Sequence, residues 1–73
     1  MWFYDYKNIH FEIIPQKNRY ILIVNGERIG SYHSVNSAVS DIISQATGYS
    51  DWDMLDVCDA DNIPESIADW NRT

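Results

Sequence analysis

The fold is decided by the stretch Tyr20-Ile21-Leu22-Ile23-Val24-Asn25-Gly26-Glu27-Arg28-Ile29-Gly30-Ser31-Tyr32. An apolar run, a turn pair and a second run of β-favouring residues follow one another, which is typical of a β-hairpin. Asn25-Gly26 is the preferred pair for a two-residue type I′ turn, because both residues adopt positive φ readily. Such a loop pairs Val24 with Glu27 and Leu22 with Ile29. The first run is apolar on both faces, which favours a central strand.

Two further strands are expected before this hairpin. Large apolar residues recur at every second position over 2–6 and 9–13, and a period of two is typical of strands. The pattern predicts either two strands around a short turn at 7–8 or one long bent strand. We expect a turn at Pro15-Gln16-Lys17-Asn18, because proline cannot donate to a central ladder.

The apolar period after the hairpin is that of a helix. The spacing of the apolar residues predicts an amphipathic helix over 35–47, packed on one face of the sheet. Its stripe consists of Val35, Ala38, Val39, Ile42, Ile43 and Ala46. Ser34 is the expected N-cap and Gly48 the expected residue after the helix end.

The C-terminal third is less regular. Residues 49–58 are compatible with a short edge strand containing a bulge or with a short helix. A short C-terminal helix is expected next, since Asp61 or Asn62 can cap it and Pro64 suits a first turn. We therefore predict a single α+β domain over 1–73. It has an antiparallel three- or four-stranded sheet, one amphipathic helix on a face and a short C-terminal helix.

Chain length limits what this domain can contain. Its 73 residues and 8.5 kDa support one thin core, with no room for a deep cofactor pocket. The single cysteine, Cys58, cannot form an internal disulfide. No apolar run approaches the ~20 residues of a membrane span, and the first residues do not resemble a secretory signal. We expect a cytoplasmic protein without cofactor, membrane partner or bound metal.

Negative charge is concentrated at one end of the sequence. The net charge is −6, but residues 1–34 sum to +1, residues 35–48 to −1 and residues 49–73 to −6. Such a field repels nucleic acid and anionic membranes and attracts basic surfaces. Solubility alone also explains an acidic composition. The charge therefore argues against direct nucleic-acid binding and leaves a basic protein partner open.

Seven acids near the C-terminus form the candidate site. On a C-terminal helix, Asp61, Glu65 and Asp69 would stack at four-residue spacing, which costs about 0.2–0.5 kcal/mol per pair. A helix optimised for stability alone would more often carry a lysine there. We therefore expect an acidic face for a protein partner with a basic surface, with Tyr49 and Trp52 as additional contacts. The acids are Asp51, Asp53, Asp56, Asp59, Asp61, Glu65 and Asp69.

Motifs for catalysis or metal binding are not recognisable. A calcium-binding loop that starts at Asp51 fails at its fifth and sixth positions. One that starts at Asp59 fails at its fifth and twelfth positions. His10 and His33 have no motif partner, and the acids around Cys58 disfavour a reactive thiolate. The chain contains no nucleophile elbow and no glycine-rich phosphate loop. We therefore expect a protein that is not an enzyme.

An aromatic cluster at the N-terminus supports a second hypothesis. Trp2, Phe3, Tyr4 and Tyr6 crowd the first strand, and such residues often anchor protein interfaces. If one helix does not cover both sheet faces, the uncovered face would bind a second copy or another partner. The alternative is that the helix and the C-terminal segment cover both faces. The second hypothesis is thus a structural or adaptor module.

The hairpin and the helix after it resemble a known kind of protein. The unit from Tyr20 to Thr47, with Asn25-Gly26 at its turn, is similar to the hairpin-to-helix unit of small phage and mobile-element proteins. Anti-CRISPR and antirestriction inhibitors are among them. The resemblance implies a small inhibitor that occludes a cationic nucleic-acid channel of a host defence complex. Since residues 1–34 are not acidic, it implies a one-sided acidic patch.

Overall fold

A computed structural model describes all 73 residues and confirms the α+β class. Five antiparallel strands form one sheet in the order β4-β3-β2-β1-β5. The sequence predicts only three or four strands. The strands are β1 (Trp2–Tyr6), β2 (Ile9–Gln16), β3 (Arg19–Val24), β4 (Glu27–Tyr32) and β5 (Asn71–Arg72). The helices are α1 (Val35–Ile43), α2 (Ser50–Asp53) and α3 (Val57–Ala60), and a 3₁₀ turn covers Ile67–Asp69.

The N-terminal region forms two strands rather than one bent strand. They are joined at Lys7, which has a φ of 54°. β2 also continues through Pro15, which the sequence assigned to a turn, and Pro15 pairs with Tyr20. β1 begins opposite Ile13, so no neighbouring strand lies beside Pro15 on the β1 side. The missing N–H of Pro15 therefore removes no hydrogen bond from the sheet.

The central hairpin turns at Asn25-Gly26 as predicted, with φ values of 51° and 82°. Its predicted register is correct for Val24 and Glu27 but wrong further along. A bulge lies between Leu22 and Ile23, so Leu22 pairs with Gly30 instead of Ile29. The extra residue, Ile29, reverses the face of the sheet to which each later residue of β4 points. Consequently Tyr32 faces the core layer, where its hydroxyl donates to an Asp41 carboxylate oxygen at 2.8 Å.

The main helix begins as predicted and ends early. Ser34 is its N-cap, and the Ser34 hydroxyl accepts from the amide of Ser37 at 3.1 Å. The last helical residue is Ile43, four residues before the predicted end. Gln45 has a φ of 54°, a left-handed conformation that stops a helix.

The region after α1 settles the remaining alternatives. Residues 49–58 contain helices rather than a strand, and the short C-terminal helix is α3, which lies earlier than expected. Residues 61–70 carry only the 3₁₀ turn, so Asp61, Glu65 and Asp69 do not stack on a common helix. Trp70 is nevertheless buried, and its indole donates to the Pro64 carbonyl oxygen at 3.1 Å.

The core lies on one side of the sheet, here named the inner face. α1 and the segment 50–70 cover this face, and Trp52, Ala60, Ile63 and Trp70 join strand residues in a single cluster. Trp52 packs edge-on against Phe11, with ring centroids 5.0 Å apart. The other side, here named the outer face, is covered by no other element. None of the helices has the length and apolar character needed to cross a membrane.

Candidate functional site

Charge divides between the sheet and the layer that covers it. Residues 1–32, which form β1 to β4, hold three acids and four bases, whereas residues 33–73 hold eight acids and one base. The helical layer is therefore strongly negative and the sheet nearly neutral. A potential of one sign on one side of a small protein steers oppositely charged partners toward that side.

The most exposed apolar side chains of this layer lie between α2 and α3. We name the segment from Met54 to Val57 the elbow. Met54 is 84% exposed and Val57 is 73% exposed. Between them, Leu55 is half-buried against the core and Asp56 is exposed. The elbow thus presents two large apolar side chains and a carboxylate to solvent.

Trp52 holds the elbow on its α1 side. Its side chain is fully buried, and its indole Nε1 donates to the Ile42 carbonyl oxygen at 2.8 Å. The same carbonyl oxygen also accepts from the Gln45 backbone amide at 3.0 Å, so the indole is a second donor at the end of α1. The prediction that Trp52 contacts a partner is therefore wrong, because core packing removes its whole side chain from the surface.

Gln45 fixes the backbone of the elbow from the other side. Its side-chain Nε2 lies 2.8 Å from the carbonyl oxygen of Leu55, 3.2 Å from that of Trp52 and 3.3 Å from that of Asp56. One amide nitrogen thus lies within hydrogen-bond distance of three carbonyl oxygens between the end of α2 and the start of α3. Such side-chain bonds to backbone carbonyls satisfy groups that a broken helix leaves open.

Asp53 has a structural role. Its carboxylate accepts from the Thr47 amide at 3.1 Å, the Thr47 hydroxyl at 2.7 Å and the Gly48 amide at 2.7 Å. These bonds fasten the last residue of α2 to the loop that leaves α1. A carboxylate with three donors is not free to meet a partner, so Asp53 belongs to the scaffold of the elbow.

Asp59 is also engaged within the chain. Its Oδ1 accepts from the Tyr6 hydroxyl at 2.6 Å and from the Lys7 ammonium at 3.0 Å. The hydrogen bond from Tyr6, followed by that from Lys7, lowers the pKa of Asp59. The same contact with Asp59 raises the pKa of both Tyr6 and Lys7. Asp59 therefore ties α3 to the end of β1.

Five of the seven predicted acids are exposed and make no ion pair: Asp51, Asp56, Asp61, Glu65 and Asp69. They do not form one stripe. Asp56 belongs to the elbow, whereas Asp69 lies near the start of β1, since Asn71 two residues later pairs with Phe3. The acids therefore follow the length of β1, and only part of them surrounds the elbow.

Tyr49 lies half-buried beside the elbow and packs against the core. Its hydroxyl accepts from the Asn25 side-chain amide at 3.3 Å. An open depression of about 350 Å³ adjoins this contact and includes Asp51 in its lining. Its other lining residues are Lys7, Asn8, Ile9, Asn25 and Leu55.

Sequence reasoning missed Met54 and Val57. In the sequence they are ordinary apolar positions within an alternating stretch, and nothing there distinguishes them from core residues. Their exposure follows from the break between α2 and α3, which turns the chain so that Trp52 and Ala60 point inward.

The histidines and carboxylates form no metal centre. His10 lies between Asp5 and Glu12 on the outer face, with its two ring nitrogens directed at different carboxylates. Ligands on opposite sides of one ring cannot share an ion. No group of three metal-ligating side chains elsewhere converges on a common point.

The chain was compared with known proteins at three levels. It matches no family model, and no similar protein was found among curated proteins or among solved structures.

Proposed function

We propose that this protein is a non-enzymatic inhibitor. It docks its elbow on a basic, nucleic-acid-binding site of a partner protein complex and thereby occludes that site. The contact surface consists of Met54 and Val57 together with the exposed carboxylates nearest to them, Asp51 and Asp56. Asp61, Glu65 and Asp69 extend the negative field along β1.

The exposed apolar pair is the observation that carries this proposal. Met54 and Val57 stand free in water, although Trp52, Gln45 and Asp53 hold the backbone around them in place. Fixing exposed apolar side chains lowers the entropy lost on association. An apolar centre with a polar rim is also the usual anatomy of a protein interface.

The charge around the elbow selects the kind of partner. Eight acids against one base in residues 33–73 repel nucleic acid and favour a surface rich in lysine and arginine. Sites that bind nucleic acid are such surfaces. Carboxylates placed there would compete with phosphate groups, which is the function implied by the resemblance to anti-defence inhibitors.

A displacement assay tests this proposal. Labelled duplex DNA is bound to purified RNA-guided DNA-binding complexes, and its release by the wild-type chain is measured at low and high salt. We expect release that weakens with salt. Asp56→Lys should weaken it at least about tenfold, because the elbow carboxylate becomes repulsive.

Asp69→Lys is the matched control. It makes the same change of charge at the other end of β1 and should weaken release by no more than about threefold. Release from none of the complexes would overturn the proposal, and so would equal losses in the two variants, because then only net charge would matter.

A further inference from the structure

The open depression beside the elbow lies where the β1–β2 and β3–β4 turns meet the helical layer. Its lining comes from these two turns, the start of β2, the first turn of α2 and the elbow. Its volume of about 350 Å³ falls within the range of small-ligand sites, which begins at about 300 Å³. Since the elbow forms one of its walls, a partner docked on the elbow covers its opening.

The wall formed by Asn25 is fixed by bonds within the chain. Its side-chain oxygen accepts from the His10 amide at 2.7 Å, and its side-chain nitrogen donates to the Tyr49 hydroxyl at 3.3 Å. Its backbone amide also donates to the His10 carbonyl oxygen at 2.9 Å. Both turns therefore hold their places before anything binds, and such preorganisation lowers the entropy lost on association.

The charge of the depression favours a cation. The ammonium of Lys7 lies 3.0 Å from an Asp59 carboxylate oxygen, so this base is already compensated. Asp51 is exposed and makes no ion pair. One negative charge thus remains without a partner. An anion would have to approach Asp51 and draw Lys7 away from Asp59, whereas a cation gains from both carboxylates.

The other lining groups distinguish between cations. Ile9 and Leu55 offer apolar surface, against which the methylene groups of a long side chain pack. Asn8 is exposed, and its side-chain oxygen is a second acceptor beside the Asp51 carboxylate. Two acceptors suit a planar guanidinium, which carries five donors and is more weakly hydrated than an ammonium.

We propose that this depression receives an arginine side chain of the partner protein. Its guanidinium donates to the Asp51 carboxylate and to the side-chain oxygen of Asn8, and its methylene groups lie on Ile9 and Leu55. The inference rests on the proposed function, because a site that binds nucleic acid supplies arginines that otherwise pair with phosphate. The elbow and the depression then act together, one through apolar contact and the other through a charged hydrogen bond.

A titration followed by NMR tests this site without any partner complex. Isotope-labelled wild type is titrated with N-acetylarginine amide and, separately, with N-acetyllysine amide. We expect the arginine amide to shift the resonances of the lining residues with a Kd of about 1–10 mM. The lysine amide should bind at least about threefold more weakly, because it lacks the planar set of donors.

A matched pair of variants separates the depression from the general field. Asp51→Asn keeps the size of the side chain and should weaken binding of the arginine amide at least about fivefold, since a charged hydrogen bond becomes neutral. Asp61→Asn changes the net charge equally at an exposed acid outside the lining, and should weaken binding less than about twofold. The same spectra show that each variant is folded.

This inference and the proposed function fail through different results. Absent shifts at the lining, equal affinity for the two amides, or equal affinity of D51N and wild type would each overturn the arginine site. These outcomes hold whatever the DNA displacement assay shows. Selective binding of the arginine amide that D51N weakens, together with no release of DNA from any complex, would support the site and overturn the proposed function alone.

Discussion

The indole Nε1 of Trp52 lies 2.8 Å from the carbonyl oxygen of Ile42, so the largest fully buried side chain of the protein also closes the end of its main helix. One residue thereby joins core packing to the position of the elbow. This contact therefore links the core, the end of α1 and the start of the acidic segment in the centre of the molecule.

Replacement of Trp52 should therefore be among the most destabilising changes. Trp52→Phe removes the donor to Ile42 and leaves space beside Phe11, and we expect a loss of about 2–4 kcal/mol in the free energy of unfolding. Urea denaturation followed by circular dichroism measures it. Trp2→Phe is the control, because Trp2 is half-buried, and it should cost less than half as much.

Gln45 allows a test of the elbow that leaves the core intact. Gln45→Ala removes the bonds to Trp52, Leu55 and Asp56. We expect amide exchange in residues 53–57 to accelerate about tenfold or more, since local opening becomes easier, while exchange in β2 and β3 changes little. Hydrogen exchange measured by NMR separates the two regions. Uniform acceleration across the sheet would show that Gln45 supports the whole fold instead.

The sequence contains the signals for the sheet and the main helix but not those for the elbow. Asn25-Gly26 determines the central turn through two adjacent positive φ values, and Ser34 marks the helix start by its side chain. Both effects are local, so they can be predicted. The bulge at Ile29 is not, because Gly30 is compatible with a regular or a bulged strand.

The roles of the acids depend on contacts that are distant or irregular in sequence. Asp59 meets Lys7 and Tyr6 across more than fifty residues, and no spacing rule identifies such a pair. Asp53 meets Thr47 only because α1 ends at Ile43 and the chain turns at Gln45. A count of charges therefore treats all seven acids alike, although two of them belong to the scaffold.

Acid should weaken the link between α3 and β1. Because the Tyr6 and Lys7 hydrogen bonds lower the pKa of Asp59 below its ordinary value of 3.8, its contribution to stability is present above that value. It is lost as pH falls through the lower pKa of the folded state. Asp59→Asn should therefore reduce the difference in urea midpoint between pH 7 and pH 3. An equal difference in wild type and variant would contradict this assignment.

Tyr32 should titrate late in alkali. Burial, followed by the hydrogen bond to Asp41, raises the pKa of Tyr32 from 10.0 to about 12. The neutral phenol is the form that the fold favours, so its contribution is complete below pH 10.0 and is lost as pH rises toward the raised value. Ultraviolet absorbance should show a tyrosine step near pH 12 that Tyr32→Phe abolishes. The same variant should lose about 1 kcal/mol of stability near neutral pH.

The turn between β2 and β3 offers a stabilising substitution. Lys17 holds a φ of 56°, a conformation that costs an ordinary residue about 1–2 kcal/mol and costs glycine little. Its side chain is exposed and makes no hydrogen bond or ion pair, so Lys17→Gly should raise the free energy of unfolding by about 0.5–1 kcal/mol. Asn18 has no positive φ, and Asn18→Gly should lower stability through the greater freedom of the unfolded chain. Urea denaturation of both variants distinguishes the two positions, and a gain at Asn18 with a loss at Lys17 would contradict the backbone conformation of this turn.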